Sequence, residues 1–389
     1  MKKIAEKISL LGLSLMLISS FSISSALPQM LVYYKGYPAD QVEFLVSIPS
    51  FFVVVMLLAN GYLVRRLSER QLIVTGLLCV SLAGSFPLFV QAYWLVLLSR
   101  AVLGMGLGMI NAKAISIISE RYSGKERVQM LGLRGSAEVV GGAVFTLAVG
   151  QLLRLSWSWS FAIYAFGLVI LLAYLVCVPQ GPGQTDKHLA QSSQKTPLSL
   201  MQWGKVIWLA IISSWTVAIS SVLNLRIPFL VSQSGMGTAT QASYVLTAQQ
   251  LTGIVSGMCF AFLLSRLKRH LLLVSCFGLA IALFMMTQVT SLGLLALSDV
   301  AVGFFYSIVL TAIFNQLSET IPFAQLNTAT AVVLVGCNLG SALSPYLLKA
   351  IAMVWDSPKA FLVVLASVCV FIGLVLVFQN TKKEVTHAS

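Results

Sequence analysis

Twelve stretches of about twenty mostly apolar residues, joined by short polar links, leave this chain few ways to fold. They run near 8–33, 42–64, 71–90, 94–119, 128–153, 158–178, 206–231, 243–264, 271–289, 292–317, 328–353 and 360–378. In hydrocarbon every backbone N–H and C=O must be paired inside the protein, so a segment of this length crosses as an α-helix and not as a loop or an open sheet edge. Composition agrees: 58% of the residues are hydrophobic and 10% charged, where a soluble domain carries about 25% charge. The expectation is an all-α membrane protein with twelve transmembrane helices.

The position of the basic residues decides what the formal charge of +13 means. In a soluble chain it would suggest nucleic acid, but here Lys and Arg sit in the links and favour one side. Seventeen fall there: Lys2, Lys3, Lys7, Arg65, Arg66, Arg70, Arg121, Lys125, Arg127, Lys187, Lys195, Lys205, Arg266, Lys268, Arg269, Lys382 and Lys383. The other side has four: Lys35, Arg154, Lys349 and Lys359. The positive-inside rule then puts both termini in the cytoplasm, and the charge needs no nucleic-acid partner. The one long link, 179–205, is rich in Pro, Gly, Gln and Ser and reads as a cytoplasmic linker between a six-helix bundle at 1–178 and a second at 206–389 with a short tail. MKKIAEK before Ile8–Leu27 imitates a signal peptide. We read it as the first span, because it has a counterpart in the second half. All six cysteines lie inside apolar runs without CxxC spacing, which indicates neither a disulfide framework nor a zinc site.

The two halves repeat. Pro28 and Pro228 stand 200 residues apart in the first and seventh segments, and the basic links LVRRLSER and LLSRLKRH match at the same shift. A shift of 199 places Ser99 on Ser298, Gly104 on Gly303 and Glu120 on Glu319. Agreement in several regions at nearly one offset argues for a duplicated six-helix unit, the parallel repeat that transporters arrange about an axis along the membrane normal.

Six ionisable residues lie inside the apolar runs: Arg100, Lys113, Arg134, Glu138, Arg226 and Asp299. Left unpaired in lipid at about 3 kcal/mol each, they would cost roughly 18 kcal/mol, more than the ~5–15 kcal/mol by which proteins are stable. They must pair or face water. Gly104, Gly108 and Asn111 share the helical stripe of Arg100 and are expected to leave room beside it. The repeat puts Asp299 at the position equivalent to Arg100. The two are expected to face one another across a central cavity, with Asp299 as a protonation or cation site and Arg100 as its partner or a substrate anchor. The plainer alternative keeps Asp299 as a helix-end residue. Arg134 and Glu138 are four apart and share a face, and with Lys113 they form either a pathway cluster or a salt bridge between the fourth and fifth helices. Arg226, between Asn224 and Pro228, marks an interrupted end of the seventh helix, suited to an anionic group, a gate or interfacial snorkelling. Serines 19, 20, 22, 24 and 25 and residues Gln249, Gln250 and Tyr306 add polar candidates for the pathway.

Against this background, GYLVRRLSERQLI resembles the conserved loop between helices 2 and 3 of the major facilitator superfamily, with Gly61, Leu63, Arg66 and Arg70 in place. LLSRAVLGMGLG resembles that family's fourth-helix signature, with Arg100 at its arginine, and LGLRGSAEVVGGAVFTLAVGQLL resembles the glycine-rich fifth helix of drug/proton antiporters. The loop departs from the pattern: Arg65, Ser68 and Glu69 stand where the family has aspartate, glycine and arginine, and an Arg65–Glu69 pair one helical turn apart would reverse its polarity. Phe145 and Thr146 replace the Gly-Pro pair that would bend the fifth helix. The resemblance implies two pseudo-symmetric bundles, alternating access, Gly61, Arg65, Arg66, Glu69 and Arg70 as a gating loop, and a substrate and proton pathway through Arg100, Asp299, Asn111, Arg226, Asn224 and Tyr306.

Enzyme chemistry is not expected: the three histidines lie in links or the tail, and no G-x-x-x-x-G-K-[ST] loop for ATP occurs. The expected function is proton-coupled efflux of small hydrophobic organic compounds by a monomer in a bacterial inner membrane, with no cofactor. Uptake of a small anionic or polar metabolite is the second reading, since basic residues outnumber acids in the interior. A receptor, scramblase or passive channel on the same fold is the third.

Overall fold

The computed structural model describes residues 2–122, 124–178, 199–355, 357 and 359–388, and among them there are helices and no strands. The helices are α1 (Lys2–Leu15), α2 (Leu27–Tyr33), α3 (Ala39–Arg66), α4 (Glu69–Leu78), α5 (Tyr93–Arg121), α6 (Gly124–Leu152), α7 (Phe166–Cys177), α8 (Leu200–Gln233), α9 (Ala239–Leu267), α10 (Leu271–Thr287), α11 (Leu292–Thr320), α12 (Phe323–Ala342), α13 (Ser344–Val354) and α14 (Ala360–Ala388). Nine helical stretches among the described residues are long and apolar enough to span a bilayer. Two bent pairs, Ala5–Leu15 with Ser19–Tyr33 and Thr328–Ala342 with Ser344–Val354, and the shorter apolar α10 account for the other three expected segments.

The first segment is therefore not the single helix expected at 8–33. It bends by 49°, and Ser19–Ala26 continue as a buried 3-10 turn. Serine hydroxyls compete for backbone acceptors, as Ser19 Oγ does on the Met16 carbonyl at 2.6 Å, and such local bonds loosen the α-helical ladder. The eleventh segment bends by 51° where Pro345 cannot donate to the preceding turn. α6, which lacks the Gly-Pro pair, is continuous. Residues 179–198 of the expected linker lie outside the described residues, and α8 starts at Leu200, so the last part of 179–205 is helix.

The chain forms two compact units, one of Met1–Gln194, Asn224–Ser232 and Thr238–Thr247, the other of Lys195–Leu223, Gln233–Gly237 and Ala248–Ser389. Within each unit the same close approaches recur. A Cβ added at Gly141 would strike the Leu15 backbone, and one added at Gly340 would strike the Ser214 carbonyl. Both glycine and partner are related by a shift of 199. Likewise Gly104 lies against the Pro49 carbonyl and Gly303 against the Gln249 carbonyl, at shifts of 199 and 200. Small residues let helix backbones approach where lipid offers no hydrophobic drive.

These contacts set a graded expectation. Gly141→Val and Gly340→Val should each destabilise the detergent-purified protein by about 1–3 kcal/mol or more through overpacking against backbone. Gly61, with nothing within 4 Å of an added Cβ, should gain about 0.5–1 kcal/mol as alanine through helix propensity. Thermal unfolding of the three variants checks this, and a Gly61→Ala loss equal to the other two would refute the packing assignment.

Candidate functional site

Pro49 sits inside α3 and has no N–H, so the Leu45 carbonyl four residues earlier lacks its helical donor. Arg100 supplies one. Its Nε donates to Leu45 O at 3.0 Å and its Nη2 to Val46 O at 3.4 Å. The bend in the first segment exposes further carbonyls: Nη2 also donates to Ser20 O at 2.7 Å, and Nη1 donates to the Tyr164 hydroxyl at 2.8 Å, which in turn donates a hydrogen bond to Ser19 O at 2.9 Å. The rings of Phe161 and Tyr164 lie 5.8 and 5.4 Å from the guanidinium carbon. Gly104 and Gly108 do not leave room beside Arg100, because the α3 backbone and Met56 fill it. Arg100 is 0% exposed, so in this structure it clamps three helical elements of the first unit and lines no pathway.

Asp299 is the counterpart in the second unit, equally 0% exposed. Gln249, at the position equivalent to Pro49, donates from Nε2 to Asp299 Oδ1 at 2.9 Å. The polarity is inverted: in one unit the arginine donates to a carbonyl freed by proline, and in the other a glutamine donates to an aspartate. Asp299 Oδ2 is buried and has no hydrogen-bond partner among the described residues. An ionised oxygen so placed is costly, and a proton is the smallest thing that relieves it. The expected Arg100–Asp299 pairing is thus replaced by separate partners in each unit.

The charge cluster on α6 is smaller than expected. Arg134 Nη2 lies 3.4 Å from Glu138 Oε2 and 3.5 Å from Asn111 Oδ1. Lys113 is buried about 200° round α5 from Asn111, so it points away from that contact. Arg226 meets Glu43 of α3 at 3.1 Å, an ion contact without hydrogen-bond alignment, and stacks on Phe229. Asn224 is buried on α8 and Tyr306 half-buried on α11.

At the basic end, Glu69 and Arg65 lie on different helices, because Leu67 and Ser68 break the chain between α3 and α4 and Ser68 caps α4 with Gln71. No single helical turn joins them, and Glu69 instead meets Arg121 at 3.2 Å, which also holds Glu6 at 3.2 Å. Burial alone would lower the Arg121 pKa, but the carboxylates of Glu69 and Glu6 outweigh it and hold the guanidinium above its ordinary value. Arg66 stacks on Tyr62. Gly61 meets nothing, so its place in the loop motif carries no packing role here. The side chain of Arg65 lies outside the described residues.

Sequence reasoning missed Glu43, Glu6 and Tyr164. Glu43 is 1% exposed yet only five positions into α3, so it reads as an interface residue until Arg226 is seen beside it. The one available signal was Pro49, which in a span demands a donor from elsewhere.

Comparison with known proteins supports the same architecture. The Major Facilitator Superfamily profile matches residues 9–238 and 227–389. The multidrug resistance protein MdtL of Shewanella oneidensis is 24% identical over 64% of this chain, and the chain spans 63% of that relative. The putative niacin/nicotinamide transporter NiaP of Bacillus subtilis is 24% identical over 80% of each. Among solved structures, a D-xylose-proton symporter superposes with a TM-score of 0.78 at 17% identity, covering 97% of both chains, which speaks to fold alone. With a profile that covers the chain from Ser9 to its last residue and two duplicated helical units, this protein belongs to the major facilitator superfamily and is a transporter of small molecules in a lipid bilayer.

Proposed function

We propose that this protein is a proton-coupled secondary transporter that exports small hydrophobic organic compounds across a bacterial inner membrane by alternating access, both termini lying in the cytoplasm. Asp299 carries the reading: a fully buried carboxyl with one oxygen on Gln249 and the other unpartnered is suited to take and release a proton as its surroundings change. The relationship to MdtL, named a multidrug resistance protein, supports export of apolar cargo. The Arg121–Glu6–Glu69 contacts would act as the cytoplasmic latch, and Glu43–Arg226 as its counterpart at the far end. Import of a small polar or anionic metabolite is the second reading, favoured by NiaP, which aligns over more of the chain.

Reconstituted proteoliposomes carrying an internal pH dye decide between them. Export coupled to protons predicts that adding one compound from a library of hydrophobic cationic, neutral and anionic compounds to the lumenal or outer face moves protons in the opposite direction. Co-movement of substrate and protons selects import. Solute flux that never runs uphill under any ion gradient would overturn both.

A further inference from the structure

Arg100 on α5 and Arg134 on α6 both lie within spans, and they are held very differently. Arg100 has four donor contacts, three of them between 2.7 and 3.0 Å. Among the described residues, Arg134 touches two partners, at 3.4 and 3.5 Å and through Nη2 alone, and its Nε is buried without a hydrogen-bond partner. A guanidinium kept only for structure inside a span would be expected to be saturated, as Arg100 is.

The surroundings point the same way. Three glycines of α6 bear on this comparison: Gly141 and Gly150 are pressed against Leu15 and Ser243, whereas Gly135, next to Arg134, has nothing within 4 Å of an added Cβ among the described residues. The turn of α6 that carries Arg134 is thus open on its flank at Gly135, about 100° round from the arginine, where the later half of the helix is packed. Glu138, one turn on, compensates the charge through one nitrogen, and Asn111 turns its Oδ1 to the same nitrogen, which leaves the Asn111 amide to donate elsewhere.

We propose that Arg134, Asn111 and the open side at Gly135 form a binding site for a carboxylate-bearing organic molecule. The planar fork of Arg134 matches two carboxylate oxygens, the Asn111 amide supplies a further donor, and the ligand's apolar body lies along the flank at Gly135. Glu138 competes for the same guanidinium and holds it in position when no ligand is bound. This rests on the transporter reading and narrows its cargo from hydrophobic compounds at large to organic acids.

The test uses the full-length protein in nanodiscs and a matched pair of probes, benzoate and its uncharged isostere benzamide, followed by isothermal titration. Benzoate should bind at least about tenfold tighter than benzamide. Arg134→Gln should erase that preference, Arg134→Lys should weaken it by losing the fork, and Glu138→Gln should tighten benzoate by removing its competitor. Gly135→Val, whose Cβ meets nothing within 4 Å among the described residues, should reduce binding of both probes without lowering the melting temperature, and so separates site loss from misfolding. Equal affinity for the two probes, no saturable benzoate binding, or an Arg134→Gln variant that still prefers benzoate would overturn the site. Proton-coupled flux of other solutes by the same protein in proteoliposomes would persist in that case, so the transporter reading stands or falls separately.

Discussion

Arg100→Ala is expected to yield a protein that unfolds on the order of 10 °C earlier in detergent, if it accumulates at all. The substitution strips donors from Leu45 O, Ser20 O and the Tyr164 hydroxyl, all buried. Each group left without a partner costs about 1–3 kcal/mol, so a total of roughly 3–9 kcal/mol follows. That is a large share of the ~5–15 kcal/mol available to an ordinary fold. Arg100→Lys should fall between, since an ammonium offers three donors from one point and cannot span carbonyls on two elements. Differential scanning fluorimetry on purified variants reads this directly. If Arg100→Ala kept the wild-type melting temperature and lost only transport, the clamp would be disproved and the pathway role restored.

Asp299→Asn is expected to do the reverse, leaving folding near normal while uphill transport falls by roughly 100-fold or more. Asparagine is close to isosteric and can still accept from Gln249 through its carbonyl, so the α9–α11 contact at Gly303 survives. What it cannot do is exchange a proton. Proteoliposomes under an imposed pH gradient should show no accumulation, while substrate exchange at equal pH continues. Full gradient-driven accumulation in Asp299→Asn would rule out Asp299 as the coupling group.

Much of the architecture is legible in the chain because a bilayer enforces it: spans must be apolar, about twenty residues long and helical, and these properties are written locally. The repeat was also readable, since glycines that admit a neighbouring backbone leave a mark at a fixed offset, as Gly104 and Gly303 do. What filled the space beside those glycines was not readable. Gly104 and Gly108 share the Arg100 stripe, which suggests room for a ligand, but the α3 backbone occupies it. The partners of Arg100 are carbonyls, and a carbonyl is present at every residue, so no side-chain pattern announces which ones are used. The bend at Ser19 arises from hydroxyls competing for backbone acceptors, an effect that weakly distinguishes a broken helix from a serine-rich intact one. Arg65 and Glu69 were misjudged for a different reason: their spacing fits one helical turn, and only the cap at Ser68 shows that a new helix begins between them.

The missing N–H at Pro49 has a hereditary consequence. With any other residue there, α3 would satisfy Leu45 O from its own backbone, and Arg100 would be left with one acceptor fewer for a charge that lipid does not tolerate. Loss of both residues is therefore penalised less than the two single losses summed, and the two are expected to show strong epistasis in a deep mutational scan. Descendants of this chain would change them together or not at all.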